Sequence, residues 1–215
     1  MWCFCYNRNR CCRVFCLSKH CWDIIIMTNT QPLKNDIRKK IFEKRKLAHN
    51  AREATESDQL SSFLKHFQGL PMAGYMPIRT EIDPLPSMVK ISFYGKVGVP
   101  VIQGANEPLL FAAWTPRSEM IDGRFGAKVP LSKNFFTPEL LIVPLVAFDR
   151  QGGRVGYGGG FYDRTLEKLK MDKPVLAVGF AYSCQEVDRV PLEKTDQRLD
   201  FVVTEKDVLD LRLQL

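Results

Sequence analysis

Between Leu140 and Arg164 the chain reads LLIVPLVAFDRQGGRVGYGGGFYDR, a stretch that sets Gly152, Gly153, Gly156, Gly158, Gly159 and Gly160 around a base, Arg154, and leads to an acid, Asp163. These residue types suit phosphate chemistry. Glycines let backbone N–H groups approach an anion, and a helix N-terminus adds partial positive charge. An arginine pairs with phosphate oxygens, and a carboxylate can hold a magnesium ion that bridges phosphates. A Walker A loop would need Gly-Lys-Ser or Gly-Lys-Thr, and neither follows here. A dinucleotide fingerprint fits loosely and expects an acid about 20 residues further on. A tight strand-to-helix turn without any ligand is the bland alternative.

The flanks must position that loop. Leu140 to Val143 and Val146 to Phe148 read as a buried strand, and Phe161 to Lys170 as a helix. Upstream, a helix is expected from about Pro32 to Ala54, with Ile37, Ile41, Ala48 and Ala51 as its apolar stripe. Lys34, Arg38 and Arg45 fall on another face of it, and a charge run this dense is more often a solvated surface than a site. A second helix spans 58–68, with Ser57 as its N-cap, and Asp83-Pro84 opens a third that runs to about Tyr94. Strands are expected at Met72 to Met76, Val97 to Gln103, Leu109 to Trp114, Pro174 to Phe180 and Phe201 to Thr204. Helices alternating with buried strands predict an α/β protein with a mainly parallel sheet.

Composition agrees with one α/β domain: 215 residues, 45% hydrophobic and 26% charged. No segment approaches the roughly 20 apolar residues of a membrane helix. The net charge of +7 is unevenly placed. Residues 1–33 carry a net +3, residues 34–46 a net +5, and the rest is near −1. A domain-wide basic surface for nucleic acid is absent, and one basic helix is better suited to phosphates or polyglutamate.

Six of the seven cysteines lie within the first 21 residues, and only Cys184 falls in the domain, so no disulfide framework is expected. No C-x-x-C pair supports a zinc site beside His20. Arg8, Arg10 and Arg13 interrupt any signal-peptide core. Residues 1–27 therefore read as a disordered or non-native extension, with the domain over 28–215.

The segment VPLVAFDRQGGRVGYGGGFYDR closely resembles the signature of the 5-formyltetrahydrofolate cyclo-ligase (methenyltetrahydrofolate synthetase) family, P-x-x-A-F-D-x-x-G-x-R-L-G-x-G-x-G-Y-Y-D. KNDIR from Lys34, YMPIRTEID from Tyr75, LLFAAWTP from Leu109, VGFAYS from Val178 and VPLEKTDQRLDFVVTE from Val190 extend the resemblance over about residues 30–206. It implies a single Rossmann-like, three-layer α/β/α domain of the sugar-phosphate-isomerase type, monomeric and cytoplasmic. It implies an ATP- and Mg²⁺-dependent cyclisation of 5-formyltetrahydrofolate, polyglutamylated or not, to 5,10-methenyltetrahydrofolate, ADP and phosphate, with neither nucleic acid nor membrane as a partner.

By the same resemblance Lys34 and Arg38 meet ATP phosphates, together with Arg154, Gly156, Gly158, Gly159, Gly160 and Tyr162. Arg154, Tyr162 and Asp163 carry catalysis, and Asp163 and Asp196 hold magnesium. Glu81, Tyr157, Gly158 and Phe161 meet folate. The chain departs from the family pattern at Val129, Leu145, Phe161 and Thr195. Two other readings stay open: a divergent ATP-binding paralogue acting on another formyl compound, and a non-catalytic nucleotide- or RNA-binding protein. The first would differ at the pterin wall, and the second has no need of the paired aspartates.

Overall fold

The computed structural model describes residues 30–212, and the extension read over residues 1–27 lies outside the described residues. In chain order the helices are α1 (Gln31–Asn50), α2 (Asp58–Leu64, prolonged by a 3-10 turn Lys65–Phe67), α3 (Leu85–Ile91) and α4 (Phe161–Asp172). The strands are β1 (Met72–Ala73), β2 (Val97–Val101), β3 (Leu110–Ala113), β4 (Met120–Asp122), β5 (Lys128–Pro130), β6 (Phe135–Phe136), β7 (Leu140–Pro144), β8 (Ala147–Phe148), β9 (Arg154–Val155), β10 (Leu176–Phe180), β11 (Phe201–Val203) and β12 (Val208–Asp210).

Eight strands form one sheet in the order β12-β11-β10-β7-β1-β2-β3-β6. The five central strands, β11 to β2, are mutually parallel, while β12 and β3 run antiparallel to them and β6 pairs antiparallel with β3 at the edge. Residues of β7 alternate between two apolar layers. Leu140 and Ile142 pack with Leu60, Leu64 and Met88 of α2 and α3, whereas Leu141 and Val143 pack with Leu166 and Leu169 of α4. That two-residue period, buried on both faces, makes the expected three-layer α/β/α sandwich.

Three local expectations are corrected. Val146 to Phe148 do not continue the buried strand. The chain leaves the sheet after Pro144, and β8 pairs with β9 in a separate two-stranded ribbon that carries the glycine loop. Met72 to Met76 is a strand only over Met72–Ala73, with one further bond to β2 from the Gly74 amide to the Gly98 carbonyl at 3.0 Å. Ser57 stands at the N-cap position of α2 without a capping side-chain bond, and its carbonyl instead accepts from Ser87 Oγ at 2.8 Å. At α3 the N-cap position is Pro84 and the helix ends at Ile91, short of Tyr94, but Asp83 Oδ1 does accept from the Leu85 amide at 2.8 Å.

The first helix, α1, packs on the β8–β9 ribbon, with Ile41 set among Val146, Ala147, Val155 and Val190. Its buried residues are Lys34, Ile41 and Arg45. The apolar stripe expected there is thus only partly right: Ile37 and Ala48 are half-buried and Ala51 is exposed. A ribbon and a glycine loop expose backbone carbonyls and carboxylates to this helix, and cationic donors satisfy those better than aliphatic side chains do.

Candidate active site

Lys34, Arg38, Ile41 and Arg45 follow helical spacing and share one stripe of α1. Lys34 is only 5% exposed. Its Nζ lies 2.7 Å from Asp196 Oδ2 and 3.8 Å from Glu193 Oε1. Arg38 Nε donates to the carbonyl of Gly156 at 2.8 Å, and its Nη1 donates to Asn35 Oδ1 at 2.7 Å. Partial burial pulls the Arg38 guanidinium down from its ordinary pKa. This face of α1 is packed against the glycine loop and is not a solvated surface.

The glycine loop is framed by a buried acid to which no role was assigned from sequence. Asp149 Oδ1 accepts from the amides of Gln151 (2.9 Å) and Gly153 (2.8 Å), and its Oδ2 accepts from the Val190 amide at 2.8 Å. Gly158 (φ +99°) and Gly160 (φ +63°), the residue just before α4, occupy the left-handed region that a side chain would strain. Buried Arg154 then ties the ribbon to α4. Its Nη2 donates to Asp163 Oδ1 at 2.6 Å, and its Nη1 donates to the Gln197 carbonyl. The Gln197 amide donates to the same Asp163 oxygen at 3.0 Å. Chain adjacency therefore brings Asp196 beside Asp163. Asp163 Oδ2 and Asp196 Oδ1 make no hydrogen bond among the described residues. Two hard carboxylate oxygens left available beside a phosphate-type loop fit a magnesium ion.

The second half of the site is built differently. Glu81, on the loop between β1 and α3, is 6% exposed and has no cation in direct salt bridge among the described residues. Its Oε2 accepts from the Ile78 amide at 2.9 Å. Burial pushes its carboxyl up to about 7, against the lowering pull of that amide, Arg45, Tyr157 and Arg79. Burial likewise raises the hydroxyls of Tyr75, Tyr157 and Tyr162, and the Glu81 charge adds to each. Tyr162 feels Glu81 on one side and Arg154 on the other, so it stands where the two halves meet. Its hydroxyl makes no hydrogen bond among the described residues. Phe161 meets Phe125 edge-on at 6.2 Å. Phe125 is 73% exposed, at the tip of the β4–β5 hairpin.

The residues singled out from sequence thus fall on neighbouring segments, namely α1, the glycine loop, the start of α4, the Glu81 loop and the Asp196 turn, linked by the contacts of Lys34 with Asp196, Arg38 with Gly156, Arg154 with Asp163 and Tyr157 with Glu81. Sequence reasoning set Arg45 on the face of Lys34 and Arg38 without a role, and it missed Arg79, Phe125 and the framing role of Asp149. A signal existed for Arg45, which stands three helical turns after Lys34 on the same stripe. None existed for the other two partners. Arg79 (φ +57°) and Phe125 (φ +58°) are the only non-glycine residues with left-handed backbone among the described residues, and both touch this site.

Residues 30–205 match the model of the 5-formyltetrahydrofolate cyclo-ligase family. The chain belongs to that family. The 5-formyltetrahydrofolate cyclo-ligase of Escherichia coli K12 is 38% identical over 144 residues, covering 64% of this chain and 79% of that relative. The cyclo-ligase of Haemophilus influenzae is 32% identical over 173 residues, covering 77% of this chain and 92% of the relative. The solved 5,10-methenyltetrahydrofolate synthetase of Aquifex aeolicus superposes with a TM-score of 0.69 at 30% identity, covering 84% of this chain and 93% of that one. A cyclo-ligase is an enzyme and a ligase of folate one-carbon chemistry, so the reading of this chain as an enzyme stands with the family.

Proposed function

We propose that this cyclo-ligase uses ATP and magnesium to close 5-formyltetrahydrofolate to 5,10-methenyltetrahydrofolate. A formamide oxygen is a poor leaving group. In the proposed course the formyl oxygen attacks the γ-phosphorus of ATP and ADP departs. The N10 lone pair then closes on the activated carbon, N10 loses its proton, and the C–O bond breaks as phosphate leaves with the oxygen. The protein's task is charge neutralisation and positioning, and no nucleophilic side chain is needed.

The observation that carries this reading is the pair of base–carboxylate contacts at the glycine loop, Lys34 with Asp196 and Arg154 with Asp163. Each base can turn from its carboxylate to a phosphate, which leaves the carboxylates for a metal. A bound magnesium ion would supply charge neutralisation on the phosphates, with Asp163 and Asp196 as its protein ligands. Arg38 holds the Gly156 carbonyl, and so aims the amides of Gly158, Gly159 and Gly160 at the same phosphates. Arg154 and Tyr162 stand between nucleotide and folate, where the transferred group must pass. Glu81, Tyr157, Gly158 and Phe161 form the folate side, with the Glu81 carboxylate suited to the paired N–H donors of a pterin. Exposed Lys39, Lys40, Lys44 and Lys46 give α1 a basic outer face suited to a polyglutamate tail.

The test is direct. Purified protein with 5-formyltetrahydrofolate, ATP and Mg²⁺ should develop the methenyl absorbance with one ADP per turnover. Turnover that needs neither ATP nor a divalent ion would overturn the reading.

A further inference from the structure

Arg45 has no place in the chemistry above, yet it is the largest side chain fully buried in the domain, at 1% exposure. A buried cation is costly unless its donors are satisfied, and removal of a carboxylate partner usually leaves it stranded. Arg45 makes no salt bridge among the described residues. Its donors go to three neutral groups on three separate segments. Nε donates to Thr80 Oγ1 at 3.0 Å, beside Glu81. Nη2 donates to the Tyr157 hydroxyl at 2.6 Å, inside the glycine loop. Nη1 reaches the Leu145 carbonyl at 3.5 Å, where the chain leaves the central sheet. The guanidinium also sits over the rings of Phe42 (5.2 Å) and Tyr157 (5.5 Å).

We propose that Arg45 is a positioning residue that fixes the folate-side Glu81 loop and the nucleotide loop at one mutual distance. Tyr157 also meets the Glu81 loop directly, through its hydroxyl towards the Glu81 carboxylate and through Arg79 over its ring, and Arg45 fastens that contact by holding Thr80 and the Tyr157 hydroxyl on one guanidinium. A planar fork with several donors can hold two such partners at once, and a lysine ammonium at the end of a flexible stem cannot hold both in fixed geometry. The Tyr157 hydroxyl that accepts from Arg45 also faces the Glu81 carboxylate and favours its charged form, so a displaced Tyr157 is felt at Glu81. This inference rests on the assignment of the two loops to two substrates.

The experiment joins two readouts on Arg45→Met, Tyr157→Phe and the double variant. Hydrogen exchange on ligand-free protein should speed up in both 78–82 and 156–160 for Arg45→Met. In the methenyl assay each single change should lower kcat/KM at least about tenfold, and the double variant should be no worse than the weaker single one, since both break one link. Should Arg45→Met not fold, Arg45→Lys keeps the buried cation and carries the same expectations. Faster exchange in one segment alone, or losses that multiply in the double variant, overturns the proposal. If the substrate assignment alone is wrong, paired exchange and non-additivity persist, while the substrate-specific KM shifts of Lys34 and Glu81 variants do not appear.

Discussion

The two halves of the proposed site handle charge in opposite ways. On the proposed nucleotide side every key base already has a carboxylate or carbonyl partner: Lys34 with Asp196, Arg154 with Asp163, Arg38 with Gly156. On the proposed folate side Glu81 is buried with one backbone donor, and desolvation governs its proton. The first arrangement is suited to partner exchange, because phosphate and metal arrive together and each replaces a contact that is lost. The second is suited to discrimination, because a buried acceptor without its partner is costly, and a ligand with matched donors relieves that cost. One half stores compensated charge, and the other stores an unmet need.

The largest expected effect breaks the compensated half. Asp163→Asn retains the Oδ1 acceptor for Arg154 and Gln197 but loses the anionic ligand, so kcat should fall by about 10²-fold or more in a protein that still folds, with a lowered melting temperature because buried Arg154 loses its anionic partner. Full activity of the variant at saturating Mg²⁺ would remove Asp163 from the chemistry.

The pH response sharpens the other half. The Glu81 carboxyl is raised in the folded protein to about 7 from an unfolded value of 4.5. The folded state therefore binds the extra proton between those values, and its contribution to stability is complete below about 4.5 and lost as pH rises through about 7. Glu81→Gln should melt higher than the parent at pH 8, with the gap closing towards pH 5. If ionised Glu81 binds folate, kcat/KM for 5-formyltetrahydrofolate should rise through about pH 7 in the parent and lose that step in the variant. A melting gap independent of pH would show that burial does not control this acid.

The smallest effect concerns the hairpin. An aromatic edge contact is worth about 0.5–1.5 kcal/mol, so Phe125→Ala should raise the KM for folate by roughly two- to tenfold and leave that for ATP in place. Equal shifts for both substrates would place Phe125 outside the folate side.

Much of this was legible in the chain because it rested on strong local signals. The strand, glycine loop and helix from Leu140 to Asp172 are read from an apolar run, left-handed glycines and helical periodicity. The parallel central strands follow from alternation with helices. The short edge pieces β4, β5, β6, β9 and β12 carry two or three residues each, too few for any periodicity to register. The β8–β9 ribbon was hidden because an apolar Val146–Phe148 looks the same whether it prolongs a sheet or packs under α1. Lys34, Arg38, Arg154, Asp163 and Asp196 were legible as residue types in a pattern. Arg79 and Phe125 were not, and Arg45 was legible only as a base on the Lys34 face, since their roles depend on which loops the fold lays against each other.

The most direct measurement of the divided cleft is a pair of substrate titrations on Lys34→Ala and Glu81→Ala. A lost charge-assisted hydrogen bond is worth about 1.5–3 kcal/mol, so each should show a shift of about tenfold or more. Lys34→Ala should raise the apparent KM for ATP and spare that for 5-formyltetrahydrofolate, and Glu81→Ala should do the reverse. If both variants weaken the two substrates equally, the cleft is not divided in this way.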